Sequence, residues 1–579
     1  MTQQPTPKVL NELSPTDNEL EILKDQSDYL RGTLKESLAD PLTGAISEND
    51  TQILKYHGSY QQDDRDVRNE RLARKLEPAY SFMIRVRLPG GVMSAQQWRN
   101  CDHISRTYGN NTMKLSTRQA LQFHGIIKTD LKTTIQAMDN ALQDSIATCG
   151  DINRNVMCTQ DPSLKALQRE VYPYAKQISE GFLPQTRAYH EIWLNDDQDK
   201  KLIAGGGKID EPIYGKHYLP RKFKIAIAIP PYNDADVLTN DIGLIAIEKA
   251  GKLAGFNITV GGGLAMTFGR KDTFPRLANL VGFCQPDQVM AVCEQIMCIQ
   301  RDFGNREDRK LSRFKYTLEK HGEDWFAKEL KSRLSFSLQT TQPFEFTTTA
   351  DRYGWQQCDE GLWHCVLHIE GGRIQNTDTL AQQDLLKAIA ELDVCEFRLT
   401  PNQNLQLVDI QAKHKPKIEA LFKQFNQPVS KESLNGLQRN AIACVALNTC
   451  SLAMAESERY LPKLIAKLQP VLAQYDLQDR DIKIRMTGCP NGCGRSVMGE
   501  IGLIGKSLGK YNLYLGGDFQ GQRLSKLYQE NLDEDGIIAA LSPLFARYSR
   551  EGLDQEHFGD FLIRNDIIQA AQGGLAFHL

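Results

Sequence analysis

Four cysteines carry the sharpest chemical signal in this chain. Cys444 and Cys450 stand in ACVALNTC, and Cys489 and Cys493 in TGCPNGCGR. The pattern is C-x5-C, then residues 451–488, then C-x3-C. Four thiolates can hold an iron–sulfur cluster or a tetrahedral zinc ion. Zinc pairs usually stand roughly two to four residues apart, so C-x5-C is wide for zinc. Gly488, Gly492 and Gly494 would let backbone N–H groups approach a cluster sulfur. Spacing alone leaves three readings open: iron–sulfur ligands, zinc ligands, or unligated structural thiols. The other nine, Cys101, Cys149, Cys158, Cys284, Cys293, Cys298, Cys358, Cys365 and Cys395, show no ligand spacing among themselves and read as structural thiols.

The elements that must position these cysteines are legible as a repeat. MKLSTRQALQ (113–122) matches FRLTPNQNLQ (397–406), and each follows an apolar strand-like run ending in two glycines, FMIRVRLPGG and HCVLHIEGG. RNVMC (154–158) matches RNAIAC (439–444). KFKIAIAIPP, NDIGLIAI and GFNITVGGG match DIKIRMTGCP, GEIGLIG and KYNLYLGGD in the same order. One duplicated unit explains this, and a pseudo-twofold arrangement follows as an expectation. In the first copy Pro230 and Asp234 hold the places of Cys489 and Cys493, so one copy has kept a site that the other has lost.

Alternating or apolar runs predict strands at FMIRVRL, KFKIAIAIP, GFNITVGGG, FEFTTT, HCVLHIE, DIKIRMT and YNLYLGG. Residues 131–146, 286–303 and 460–475 read as amphipathic helices. Helices mixed with short antiparallel-type strands predict an α+β fold. The polar, proline-containing first 50 residues read as a mobile or partner-contacting arm. The predicted division is an arm (1–75), a central domain of two half-domains (76–150 with 349–427), a first repeat domain without a cluster (151–348) and a second with one (428–579).

The 579 residues allow several domains. The charge balance, 69 Lys and Arg against 72 Asp and Glu, gives no global pull toward nucleic acid or a membrane. No run is long and apolar enough for a membrane span, and no export signal is visible, so a cytoplasmic protein is expected. Thirteen cysteines on such a chain argue against a disulfide framework. AGGGK (204–208) is not a phosphate loop, because Ile209 follows the lysine, and no G-x-G-x-x-G joins a strand to a helix.

TGCPNGCGR together with ACVALNTC resembles the cluster signature of the siroheme sulfite and nitrite reductase family. YHGSYQQDDRD (56–66), RLPGGV (87–92), RQALQFHGI (118–126), NRNVMC (153–158), LPRKFK (219–224) and RDFGNR (301–306) extend the likeness across nearly the whole chain from about residue 50. They are similar to the hemoprotein (beta) subunits of assimilatory NADPH-dependent sulfite reductases. The resemblance implies an α+β, internally duplicated fold of three domains plus an arm. It implies a 4Fe–4S cluster on Cys444, Cys450, Cys489 and Cys493, with Cys493 also the axial ligand of siroheme iron. It implies reduction of sulfite to sulfide, in cysteine biosynthesis, with electrons from a separate flavoprotein (alpha) subunit that oxidises NADPH in a hetero-oligomer.

By the same resemblance Arg85, Arg154, Lys222 and Lys224 hold sulfite. This suits an oxyanion that must shed oxygens as water, because it needs cations and proton donors. Read alone, such residues near strand ends are more often solvated surface groups. Siroheme carries eight carboxylates, and the resemblance implies that Lys114, Ser116, Arg118, Gln122 and His124, which alternation places on one strand face, meet it. Arg221, the Gly261, Gly262 and Gly263 turn, Arg313, Lys315 and Gln403 complete the expected cofactor set. Lys114 departs from the family, where arginine is expected. His124 alone could be an ordinary half-buried strand histidine. Asn491 could position the cluster loop or face the substrate. Two rivals stand: a siroheme nitrite reductase, and a zinc-stabilised scaffold.

Overall fold

The computed structural model describes residues 17–579 apart from 187, 189–191, 197–198, 205–210, 359 and 572. The glycines of AGGGK therefore lie outside the described residues.

Four five-stranded sheets organise the chain in two matched pairs. The first runs Ser59–Asp63, Tyr80–Val86, Leu121–Ile126, Met113–Leu115, then Arg373–Ile374. The second runs Gly354–Gln357, Trp363–Leu367, Leu405–Ile410, Glu396–Leu399, then Val92–Met93. Each sheet takes its last strand from the other half: Arg373 pairs with Lys114, and Val92 with Arg398. This exchange fuses the half-domains into one core, in which Trp98 stacks on Phe397 with ring centroids 4.5 Å apart. Helix Ala95–Thr107, started by the Ser94–Gln97 capping box, covers this core beside helix Gln382–Leu392.

The other two sheets share one plan. Met157–Cys158, Ile225–Ala228 and Ile242–Lys249 run parallel, followed by antiparallel Lys252–Val260 and Asn279–Cys284. Their counterparts are Ala441–Ala443, Ile484–Thr487 and Ile501–Ser507, then Lys510–Leu515 and Lys526–Leu532. The antiparallel expectation holds in the first two sheets and is corrected in these two, whose first three strands run parallel. Ile225–Ala228 is buried at every position, as a parallel strand covered on both faces must be.

Further corrections follow. FEFTTT forms no strand; it is extended backbone beside Pro343, with Thr348 alone bridging to Tyr232. The helix expected to Ile146 stops at Asn140, and Leu142 turns into left-handed backbone. The segment read as a mobile arm is bound to the body over its described residues. Helices Glu19–Gln26, Leu34–Ala39 and Glu48–Ile53 pack there, and Glu21 and Lys24 are fully buried. Strand Ser59–Asp63, assigned by sequence to the arm, is an edge of the first sheet.

Two glutamines in left-handed backbone make the duplication explicit. Gln119 Nε2 donates to the carbonyls of Gly90 and Leu399, and its oxygen accepts from Cys158 N. Gln403 Nε2 donates to Gly371 and Leu115, and its oxygen accepts from Ala443 N. Every partner is the repeat equivalent of its counterpart. Each glutamine ties one half-domain to the other and to one repeat sheet.

Candidate active site

Lys222 and Lys224 flank buried Phe223, so their side chains leave the chain on one face just before strand Ile225–Ala228. Among the described residues neither ammonium has a hydrogen-bond or ion-pair partner. Burial, then the neighbouring Arg221, pulls Lys222 down to about 7. Burial, then Lys222 itself, pushes Lys224 well below the usual lysine range. Arg118 stands close by, its Nη2 donating to Ile225 O at 2.9 Å and its Nη1 to Asn240 Oδ1 at 2.9 Å. Burial lowers Arg118 to about 9 and Arg221 to about 10.

Arg85 and Arg154 share one acceptor, the carbonyl of Thr148, at 3.1 Å each. Arg85 also reaches Cys149 Sγ at 3.2 Å, and Arg154 Nε donates to Gly150 O at 2.9 Å. With its oxygen turned toward Arg85, Gln122 accepts at 2.6 and 2.9 Å. The sequence thus brings Arg85, Arg118, Arg154, Arg221, Lys222, Lys224 and Arg313 into one region. The buried carboxylate Asp241 pairs with Arg313 at 3.0 Å. Arg154 and Arg313 are buried and the other five half-buried, and such an excess of cations over anions is best completed by an anion.

The second repeat shows what closure of such a region looks like. Arg439, the twin of Arg154, is neutralised by Asp481 at 2.7 Å, and Asp481 occupies the place of Lys222. Lys483, the twin of Lys224, donates to Asp518 O at 2.8 Å and lies over the Phe519 ring.

The expected cofactor residues divide. Arg118 Nε, Arg313 Nε and His124 Nε2 are buried without hydrogen-bond partners. Burial keeps His124 neutral, far below its usual range. Three others make contacts within the protein. Lys114 pairs with Glu458 at 2.7 Å and binds Gly371 O. Lys315 donates to the carbonyls of Gly263, Ala265 and Phe274. Gln403 makes the bridges already described.

The shared face is corrected too. Lys114 and Gln122 are cross-strand partners, but residues 116–119 form the turn between them. There Ser116 Oγ accepts from Arg118 N and Ala120 N. Gly263 lies against Arg313 and Lys315, whereas Gly262 is required by packing: a Cβ there would sit 2.2 Å from Leu238 O.

The cysteine loops meet at the edge of this cationic region. Burial, then the Cys493 sulfur, pushes the Cys450 thiol up and Cys489 up to about 11. Cys444 rises for the same two reasons in the same order. Cys493 is exposed, and its sulfur lies within electrostatic reach of Lys222. Gly488 N donates to Cys444 Sγ at 3.3 Å and Asn491 Nδ2 to Cys489 Sγ at 3.5 Å, so Asn491 serves the loop. Among the described residues no three His, Cys, Asp or Glu side chains gather closely enough for one metal ion. The four thiols perturb one another, and the charge of an iron–sulfur cluster would let all four ionise.

Several functional residues escaped the sequence reading. Arg65 Nη1 holds the carbonyls of Cys450 and Ala453 at 3.1 and 2.7 Å. Thr117 Oγ1 donates to Cys493 O at 2.8 Å, tying the half-domain turn to the cluster loop. Glu458 N donates to Cys444 O at 3.1 Å while its carboxylate binds Lys114 and Arg373. Cys149, read as structural, is a partner of Arg85. Arg65 lies inside a block that resembles the family and Thr117 inside a repeat block; nothing in the sequence marks Glu458.

Comparison with known proteins agrees with this architecture. The nitrite and sulphite reductase 4Fe-4S domain matches residues 175–338, the repeat that lacks the four cysteines. The nitrite/sulfite reductase ferredoxin-like half domain matches 74–141 and 355–425. A Staphylococcus haemolyticus protein named sulfite reductase (NADPH) hemoprotein beta-component is 52% identical over 559 residues, 96% of this chain and 97% of its own. A Geobacillus kaustophilus protein of the same name is 51% identical over 97% of this chain and 98% of its own. The structure of the Mycobacterium tuberculosis NirA protein superposes with a TM-score of 0.75 at 22% identity, covering 96% of this chain and 97% of that one.

Proposed function

The chain belongs to the nitrite and sulfite reductase family, and from that premise we propose that it is the hemoprotein component of an NADPH-dependent sulfite reductase. It reduces sulfite to sulfide at a siroheme coupled to a 4Fe–4S cluster, in sulfur assimilation toward cysteine. Six electrons and six protons convert hydrogen sulfite to hydrosulfide and three waters. Electrons come from a separate flavoprotein subunit that oxidises NADPH, so the working enzyme is a hetero-oligomer. A reducing cytoplasm suits thirteen unpaired cysteines. Among the described residues no helix is long and apolar enough to cross a membrane.

Cys444, Cys450, Cys489 and Cys493 would hold the cluster, with the exposed Cys493 sulfur shared with the siroheme iron. Arg118, Arg221, Arg313 and His124 would meet siroheme carboxylates. When bound, the coupled pair supplies electrons to the sulfur of sulfite one at a time. The chain's own work is electrostatic and acid–base. Arg85 and Arg154, fixed by the shared Thr148 carbonyl, present guanidinium groups to sulfite oxygens. Lys222, pulled down to about 7, gives up a proton readily near neutral pH. Lys224 stands beside it as a second donor. Two protons turn each departing S–O oxygen into water.

The observation that carries this reading is the pair of unpartnered lysines among arginines, within reach of Cys493. Steady-state assays of the siroheme-loaded protein with reduced methyl viologen test it. Sulfide released stoichiometrically from sulfite, at higher kcat/KM than nitrite consumption, is the expected result. Nitrite turnover without sulfide formation would replace sulfite with the nitrite rival.

A further inference from the structure

The three residues before Arg221 and Lys222 have their carbonyls held by three different cations. Tyr218 O accepts from Arg306 Nη2 at 2.7 Å, Leu219 O from Lys24 Nζ at 3.0 Å and Pro220 O from Arg309 Nη1 at 3.4 Å. Two buried acids tie the cations together. Glu21 pairs with Lys24 at 2.5 Å and with Arg306. Asp151 takes Arg309 at 2.8 Å and lies 3.8 Å from Lys24 and 3.7 Å from Arg221. Leu219 N donates to Asp151 O at 3.0 Å, closing the bracket. Tyr218 is held in left-handed backbone at φ +54°, a conformation that costs energy for a tyrosine.

Glu21 and Lys24 belong to helix Glu19–Gln26 and are 0% exposed, and Asp151 is 2% exposed. A charge network this deeply buried is a poor source of net stability, because desolvation offsets its attraction. What it does supply is a fixed backbone path. The path ends on Arg221 and Lys222, two of the cations assigned above to the cofactor and the substrate.

We propose that Lys24 is a positioning residue for the anion site: with Glu21 it clamps the Tyr218–Pro220 backbone and so sets where Arg221 and Lys222 reach. The inference rests on the anion-site reading of those residues. It makes the N-terminal helix a working part of the site, not a detachable arm.

The test uses the full-length, siroheme-loaded protein as Lys24→Met and Glu21→Gln, with Leu541→Ala in the core of the other repeat as a stability-matched control. Two quantities are measured per siroheme: KM for sulfite, and Kd for sulfate, a non-reducible probe, from the shift of the visible bands. Both should rise by at least about tenfold in the two clamp variants, since a misplacement of ~1 Å can cost a hundredfold. The control should lose folded protein but keep both constants. A purely structural role predicts the same for the clamp variants: fewer active sites, with unchanged KM and Kd. That result in Glu21→Gln, which preserves shape, overturns the proposal even if Lys24→Met does not fold. Failure of the wild-type protein to make sulfide would sink the sulfite reading alone, because the sulfate measurement still reports on the clamp.

Discussion

Asp236 and Arg495 occupy the same position in the two repeats and form an ion pair with each other at 2.9 Å. Both stand in left-handed backbone and both precede a single 3-10 turn, Val237–Thr239 and Ser496–Met498. The contact therefore joins equivalent points of a duplicated unit across its pseudo-twofold axis. Arg485 adds a second contact to Asp236 at 2.6 Å. Asp236 follows Asp234 by two residues as Arg495 follows Cys493, so the pair joins the cysteine-free loop of one repeat to the cysteine-bearing loop of the other. Asp236→Asn leaves two arginines buried without a carboxylate, a change that costs about 3–5 kcal/mol. Arginine neighbours hold Asp236 below its ordinary range despite burial. Its stabilising contribution is therefore complete above the unfolded value near ~4 and fades as pH falls through the lower folded value. Thermal unfolding at pH 7 and at pH 3.5 checks this: the Asn variant should be markedly weaker at pH 7 and closer to wild type in acid. Equal melting at pH 7 would show that the two arginines do not need the charge.

Cys493→Ser should abolish sulfide formation, lower iron and acid-labile sulfide per chain, and disturb the absorption of both chromophores together. A sulfur shared by two redox centres would produce the joint effect; a ligand of the cluster alone would spare the siroheme bands. Cys101→Ser is the contrast, a buried thiol beside Gln143 and remote in role. Metal analysis and visible spectra of anaerobically prepared protein give the answer. Full activity in Cys493→Ser would remove the bridging thiolate from the account.

Much of this was legible in the residues, and the failures share a cause. The repeat blocks carried the duplication, because matching side chains keep matching hydrogen bonds; Gln119 and Gln403 are the clearest case. The cysteine pattern was legible because ligand chemistry fixes residue type. Lys114, Lys315 and Gln403 have acceptors within the protein that the sequence did not announce, because a buried donor looks the same in sequence whether a ligand or a backbone carbonyl takes it. Parallel strands were missed because periodicity reports exposure and not direction. The exchanged strands Val92–Met93 and Arg373–Ile374 are two residues each, too short for any pattern.

Glu458 couples the half-domains to the cluster loop. Its carboxylate holds Lys114 at 2.7 Å and Arg373 at 2.7 Å while its backbone N–H holds Cys444 O. Lys114 and Arg373 keep the Glu458 carboxyl at about 2 in spite of burial. Its contribution is full above about 4.3 and is lost as pH falls through about 2. Glu458→Gln should leave the fold intact but make the cluster labile, with iron lost several-fold faster to a chelator at pH 7. The colour of the iron–chelator complex, followed after chelator addition, reports it. An unchanged release rate would confine Glu458 to the half-domain interface.

Lys222 gives the sharpest pH signature. The groups facing it are Arg154, Arg221, Arg313, Lys224 and the Cys493 sulfur, so burial and like charge bring it to about 7. A bound dianion favours the charged ammonium, so its value in the complex is higher. Binding then takes up a proton between the two values. Affinity should be flat below about 7 and should fall above it, by as much as about tenfold per pH unit while one proton is coupled. Sulfate suits the measurement because its own charge is constant from pH 6 to 9. In Lys222→Met the affinity should be weaker at pH 6 and its slope above 7 should flatten. A variant that keeps the wild-type slope would assign the titration to Lys224 and leave Lys222 as a spectator at the edge of the site.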